Sequence, residues 1–157
     1  PDDIRDSRRN SKANTSAGRR SEDEGPSPAS LATEFDLRQL FSNYSDALSS
    51  GDLARIGQYF TDDAKISVNG KLVANTSTEI DKLYSDNQGA NRRTIEIPLI
   101  MAFFADEGNG TAHGNLTIES RSFVSGEKPS THIFKTVDTY KRTSSGWRCS
   151  DRQRNDF

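Results

Sequence analysis

The residues of this chain best suited to chemistry gather in its final stretch, "STHIFKTVDTYKRTSSGWRCSDRQRND", residues 130–156. It reads as a hairpin. Whether "SS" or all of "TSSG" forms the loop, Thr143 faces Gly146 and Arg142 faces Trp147, and the ladder then sets Tyr140 opposite Cys149 and Asp138 opposite Asp151. One face thus carries His132, Phe134, Thr136, Asp138, Tyr140, Trp147, Cys149, Asp151 and Gln153. The other carries Lys135, Val137, Thr139, Lys141, Arg148, Ser150, Arg152 and Arg154. The aromatic face is assigned to a pocket and the basic face to solvent or a partner. Directly opposed, Asp138 and Asp151 would hold their Cβ atoms roughly 5 Å apart. Two carboxylates that close in a partly apolar site do not both ionise easily, so one would serve as acid and the other as base. The competing reading places Asp151 in water, or has a Lys or Arg neutralise the pair.

Few other residue types offer chemistry. His113 and His132 are the only histidines, and neither has a Cys or His at metal-ligand spacing, so no metal site is expected. His113 lies on a segment whose buried set reads as Ala112, Leu116 and Ile118, which turns the imidazole outward. Cys149 is the only cysteine; it allows no internal disulfide and reads as a small buried apolar group more than a nucleophile. There is no glycine-rich phosphate loop, "GxSxG" or dinucleotide fingerprint, and no cofactor is expected. The candidate site is therefore Asp138, Asp151 and Tyr44 for catalysis, with Tyr59, Phe134, Tyr140 and Cys149 lining the pocket.

The elements that position these residues follow from periodicity. Leu37, Leu40, Phe41, Tyr44, Ala47 and Leu48 form one helical stripe, and Thr33 with Asp36 has capping-box spacing at its start. In "SGD", Gly51 suits the left-handed residue that ends a helix, and Asp52 can cap the next, whose Leu53, Ile56, Tyr59 and Phe60 share a face. A short extended piece, Lys65 to Val68, and an Asn69-Gly70 turn precede a third helix from Thr76 to Asp86, with Thr76 and Glu79 as its capping box. Then the period drops to two. Thr94 to Phe104 alternates with Ile95, Ile97, Leu99, Met101 and Phe103 on one face, and Pro98 implies an edge or a bulge. Strands at Thr111–Ser122, Thr131–Arg142 and Trp147 to about Asn155 follow. The expectation is an α+β fold with helices covering one face of a curved, mainly antiparallel sheet.

Composition sets the limits. The chain has 157 residues, enough for one domain and a tail. Its mean hydropathy of −0.82 is low, and most of the polarity lies in front: residues 1–32 read as a disordered charged tail or linker, residues 33–157 as the domain. Arg8-Arg9 and Arg19-Arg20 in that tail are interspersed with acids and read as solvated. A net charge of −2 argues against nucleic-acid binding by bulk charge. No apolar run approaches the roughly 18 residues needed to span a bilayer. The chain begins at Pro1 and carries N-x-[ST] patterns at Asn14, Asn43, Asn75, Asn109 and Asn115, so export to a periplasmic or extracellular site is one expectation, with the cytoplasm left open.

The order of elements, with "Y-x2-AL-x2-GDL-x2-I-x2-YF-x-DDA" at residues 44–64 and "D-x-Y-x-R-x3-GWR" at residues 138–148, resembles the SnoaL-like, nuclear transport factor 2-like superfamily. It is most similar to the small SgcJ/EcaC-type proteins. The resemblance implies a cone-shaped α+β barrel (cystatin-like), with three N-terminal helices against the sheet and an apolar pocket at the open end. By resemblance to ketosteroid-isomerase-like members, Tyr44 and Asp138 match the oxyanion-hole pair, while the base of those enzymes falls near Val68. By resemblance to scytalone-dehydratase-like members, the Asp and His of the dyad fall at Ser49 and at Arg92 or Arg93. The Asp-Arg-Asp set of limonene-epoxide-hydrolase-like members finds no match. The resemblance also implies a homodimer through the outer sheet face. Two function classes remain: a cofactor-independent isomerase, cyclase or dehydratase acting on a small apolar or polyketide- or steroid-like molecule, and a non-catalytic ligand-binding or homodimerisation module.

Overall fold

A computed structural model describes residues 26–88 and 91–157. The expected charged tail lies, for residues 1–25, outside the described residues. Among the described residues, secondary structure is present ahead of the expected Thr33: Ser27–Pro28 forms a short strand, β1, and Ser30 caps a helix, α1, spanning Leu31–Ser50. The Ser30 hydroxyl accepts from the Thr33 amide at 3.2 Å, so the cap sits one turn earlier than the Thr33 and Asp36 spacing indicated. The stripe itself is as expected: Leu37, Phe41, Tyr44, Ala47 and Leu48 are all buried, each large side chain contributing about 1.5–3 kcal/mol of transfer free energy.

Gly51 ends α1 at φ 73°, a conformation costly for any residue with a Cβ, and its amide bonds back to Ala47 and Leu48. Asp52 caps α2 (Leu53–Gly57) by accepting from the Arg55 amide. The corner in "SGD" is therefore built as the residue types demand. α2 is shorter than its apolar face suggested, however. The Tyr59 carbonyl accepts from the Cys149 amide at 2.7 Å, and Phe60 opens strand β2 (Phe60–Val68), so Tyr59 and Phe60 leave the helix to join the sheet. Asn69 (φ 51°) and Gly70 (φ 81°) turn β2 into β3 (Lys71–Ala74), in the two-residue hairpin geometry that Asn-Gly favours. Thr76 then caps α3 (Ser77–Asn87) and exchanges hydrogen bonds with Glu79.

Four long strands follow: β4 (Arg92–Asp106), β5 (Thr111–Val124), β6 (Ser130–Thr143) and β7 (Gly146–Asp156). The sheet order is β1-β4-β5-β6-β7-β2-β3. Every pairing is antiparallel except β2 with β7, so the sheet is mixed. It is also open, with edges at β1 and β3, and the barrel closure implied by the resemblance is not met. No helix among the described residues is long and apolar enough to cross a membrane.

Among the four long strands, two bulges break the simple alternation. In β4, Pro98 pairs with Ile118 and Ile100 with Thr117, which leaves Leu99 as an extra residue. Ahead of the bulge the even positions point inward and Glu96 is buried; beyond it the odd ones do, and Phe103 and Ala105 are buried. The single apolar face expected from Ile95 to Phe103 is therefore wrong, and Leu99 and Ile100 are exposed. In β7, Tyr140 pairs with Cys149 and Arg142 with Trp147, as the hairpin register requires, but Thr139 then pairs with Asp151. Ser150 is the extra residue. Beyond it the facing partner of Asp138 is Arg152, not Asp151, and Arg152 is buried. Two opposed carboxylates are thereby replaced by an ion pair. Arg152 and Arg154 leave the basic outer face, where Lys135 and Lys141 remain exposed.

Of the described glycines, Gly114 is the most closely approached. A Cβ there would lie 2.9 Å from the Phe103 ring and 3.3 Å from that of Tyr140, so these aromatics close over a strand position that must be bare.

Candidate functional site

Arg152 stands at the centre of the buried polar residues. Its Nε donates to Asp138 Oδ1 at 3.0 Å and its Nη2 to Asp138 Oδ2 at 2.9 Å, a forked pair that fixes the plane of the guanidinium. The group lies against both the Tyr44 and Tyr59 rings, at 5.0 and 5.2 Å from their centroids. Burial works against its charge, but Asp138 beside it more than restores it and leaves its pKa well above the usual value. Asp138 also accepts from the Tyr59 hydroxyl at 2.6 Å, and the Tyr140 hydroxyl lies 2.9 Å from that of Tyr59. Burial, with Asp138 nearby, pushes both phenols above their ordinary range. This lower group is closed to solvent.

On the other side of Arg152 lies a cavity of about 350 Å³. Arg152 Nη1 donates to the Tyr44 hydroxyl at 3.0 Å, and that hydroxyl donates in turn to Glu96 Oε2 at 3.0 Å. The Tyr84 hydroxyl, from α3, lies 3.0 Å from the same oxygen of Tyr44, and burial raises its pKa to about 12. Glu96 and Thr136 complete the floor. Glu96 Oε1 and Thr136 Oγ1 are both buried and have no hydrogen-bond partner among the described residues. Burial raises the Glu96 pKa, and the opposing pull of Arg152 and of the Tyr44 hydroxyl does not cancel it. Leu48, Ile66, Val68, Leu83 and Phe134 form apolar walls, and Arg92, His132 and Arg154 stand at the rim. The floor can thus accept or release a proton at Glu96, while the Arg152 guanidinium, whose N–H groups outnumber its bonds to Asp138 and Tyr44, supplies donors to a developing oxyanion.

Of the residues singled out from the sequence, Tyr44 and Phe134 line the cavity. Tyr59, Tyr140 and Cys149 do not line it: they lie in the closed group below Arg152 and support it from behind. Burial pushes the Cys149 thiol up, away from nucleophilic character. Asp138 is buried but spent on Arg152 and Tyr59. Asp151 lies across the bulge on the outer side, where the Gln153 amide approaches it. His113 is half-buried and stacks on Phe104 at 5.2 Å, and His132 Nε2 bonds Asp156 Oδ1 at 2.9 Å. Sequence reasoning placed Thr136 on the pocket face, where it lies, but missed Glu96, Arg152 and Tyr84 as site residues. The signal for Glu96 was present in Pro98: a bulge there reverses the inward phase of every residue before it. For Arg152 the only signal was energetic, the repulsion that the simpler register would have placed between two aspartates.

A family model for the SnoaL-like domain matches residues 29–153. No curated protein matches the chain by sequence. Among solved structures, an NTF2-like protein with a cystatin-like fold from Novosphingobium aromaticivorans is similar at 20% identity and a TM-score of 0.67, over 81% of this chain and 83% of that one. A protein from the same organism with a provisional scytalone dehydratase name superposes at a TM-score of 0.74 and 13% identity, over 81% and 85% of the two chains. ActVI-ORFA from Streptomyces coelicolor gives 0.69 and 14%, over 80% and 98%. At these identities the likeness carries the fold, a cystatin-like arrangement of a mixed seven-stranded sheet and three helices.

Proposed function

The chain belongs to the SnoaL-like domain family, and from that premise we propose that it binds a small, largely apolar molecule over Glu96 and transfers a proton on it. The observation that carries this reading is the buried, unpartnered Oε1 of Glu96 at the floor of an apolar-walled cavity. A structural carboxylate has its lone pairs filled, and this one leaves an oxygen for a ligand. Its raised pKa brings it nearer to neutrality, where a base is most effective.

In the proposed step Glu96 removes a proton from a carbon next to a carbonyl. The electron pair moves onto the carbonyl oxygen, which the Arg152 guanidinium holds by hydrogen bonding. Return of the proton to another carbon completes an isomerisation, and loss of a β-hydroxyl as water completes a dehydration. Asp138 acts as a positioning residue that orients Arg152; Asp151 has no part. Proton transfer of this kind draws on the chain's own residues.

The test is exchange of α-hydrogens of a bicyclic ketone, β-tetralone, in heavy water, followed by NMR. Wild type is expected to exceed the buffer rate, and Glu96→Gln to lose about 100-fold or more of that excess. Equal rates in the two proteins would remove the proposal. The second reading, a non-catalytic homodimerisation module, draws on the exposed Ile100, Ile133 and Val137 of the sheet. Sedimentation of wild type against Val137→Lys examines it, with a wild-type dimer and a variant monomer as the supporting pair of results.

A further inference from the structure

The rim of the cavity differs in charge from its floor. Arg154, half-exposed, holds its guanidinium 3.9 Å over the Phe134 ring, which places the cation in the cavity wall. Its one acidic partner among the described residues is Asp156, reached by Nε and Nη2 at 3.4 Å each. That carboxylate is already engaged by His132 at 2.9 Å and by the Asn69 amide at 3.1 Å, contacts that draw its pKa down to about 2. Arg154 Nη1 makes no hydrogen bond among the described residues, and Arg92, exposed on the same rim, forms no ion pair among them. Gln88 adds an independent observation. Both polar atoms of its side-chain amide are buried without partners among the described residues, and it lines the same cavity.

We infer that the cavity takes an apolar carboxylate, oriented with its anionic end between Arg92, Arg154 and the Gln88 amide and its reacting end at Glu96. This rests on the proposed function for its inner half. Charge sorts the two ends: an anion beside Glu96 would repel the carboxylate, whereas at the rim two guanidinium groups and an amide donor await acceptor oxygens. The planar fork of arginine matches a carboxylate in two parallel hydrogen bonds, and the apolar walls between rim and floor accommodate a ring or alkyl body.

The experiment compares binding of β-naphthoate, its methyl ester and β-naphthyl phosphate by calorimetry. The acid is expected to bind about tenfold more tightly than the ester at low salt, a preference that shrinks as salt screens the rim. In Arg92→Gln, and more so in Arg92→Gln with Arg154→Gln, the ratio should fall toward one while the ester keeps its affinity. Because Arg154 packs on Phe134, the salt dependence in wild type and the exposed Arg92→Gln variant stand independently of how the double variant folds. Equal affinities for acid and ester in wild type, a preference untouched by the variants, a tighter phosphate, or no binding by any of the three would each overturn the inference. Ketone exchange that still depends on Glu96 would leave the proposed function standing when this inference fails, and loss of exchange with the acid preference intact would do the reverse.

Discussion

Asp138 and Glu96 are both buried carboxylates within reach of the same arginine, yet they are solvated by the protein in opposite ways. Asp138 accepts from two nitrogens of Arg152 and from Tyr59, so its charge is compensated on every side. Glu96 accepts from Tyr44 through one oxygen and leaves the other bare. A saturated ion pair fixes geometry, whereas an undersaturated carboxylate at a cavity floor stores unsatisfied hydrogen-bonding capacity that a ligand can meet. Lower group and floor are therefore distinct in kind, one a frame and the other a site.

The sharpest way to break this contrast is Asp138→Asn, which leaves the Arg152 charge buried without its counter-ion. A loss of about 3–5 kcal/mol in urea unfolding is expected, and a loss under about 1 kcal/mol would mean that Asp138 is no frame. Tyr59→Phe removes a single bond to that carboxylate and should cost about 1.5–3 kcal/mol with the unfolding slope unchanged.

Glu96→Gln should act in the opposite direction. Burial raises the folded pKa of Glu96, so the stability of wild type is complete below the unfolded value of about 4.3 and declines as pH rises through the folded value, where a charge must be held in the floor. Glutamine carries no such cost. Melting curves of the two proteins should coincide near about pH 4 and separate near about pH 8 with the variant higher, by about 1.4 kcal/mol for each unit by which the pKa is raised. A variant that is less stable at both ends would place Glu96 in the frame. The smallest effect belongs to Thr136→Val, which removes an unpartnered buried hydroxyl of nearly the same shape. Stability should stay within about 1 kcal/mol of wild type while ligand affinity changes, a separation that calorimetry alongside thermal melting can read.

Much of the fold was legible because it depends on local rules. The α1 stripe, the Gly51 and Asp52 corner, the Thr76 cap and the Asn69-Gly70 turn each express a backbone preference that no distant contact overrides. The hairpin register held from Thr143 to Tyr140, close to the turn that sets it. The failures began where a count of residues had to be carried across an irregularity. One extra residue at Leu99 and one at Ser150 reverse the inward phase, and each brings a charged side chain, Glu96 or Arg152, into the interior.

The amino-acid sequence by itself determined where α1 stops and where α2 and α3 start, which strands are long, and that Tyr44 and Asp138 face inward, because period and capping are properties of a few neighbouring residues. Tertiary structure alone decided that β2 runs parallel beside β7, that Tyr59 leaves its helix to reach Asp138, and that Arg152 rather than Asp151 answers Asp138. The physical reason is the two-residue period of a strand. A single inserted residue is nearly invisible in composition, yet it exchanges the two faces of everything beyond it, and only the whole sheet, by excluding an unpaired buried charge, selects where that insertion falls.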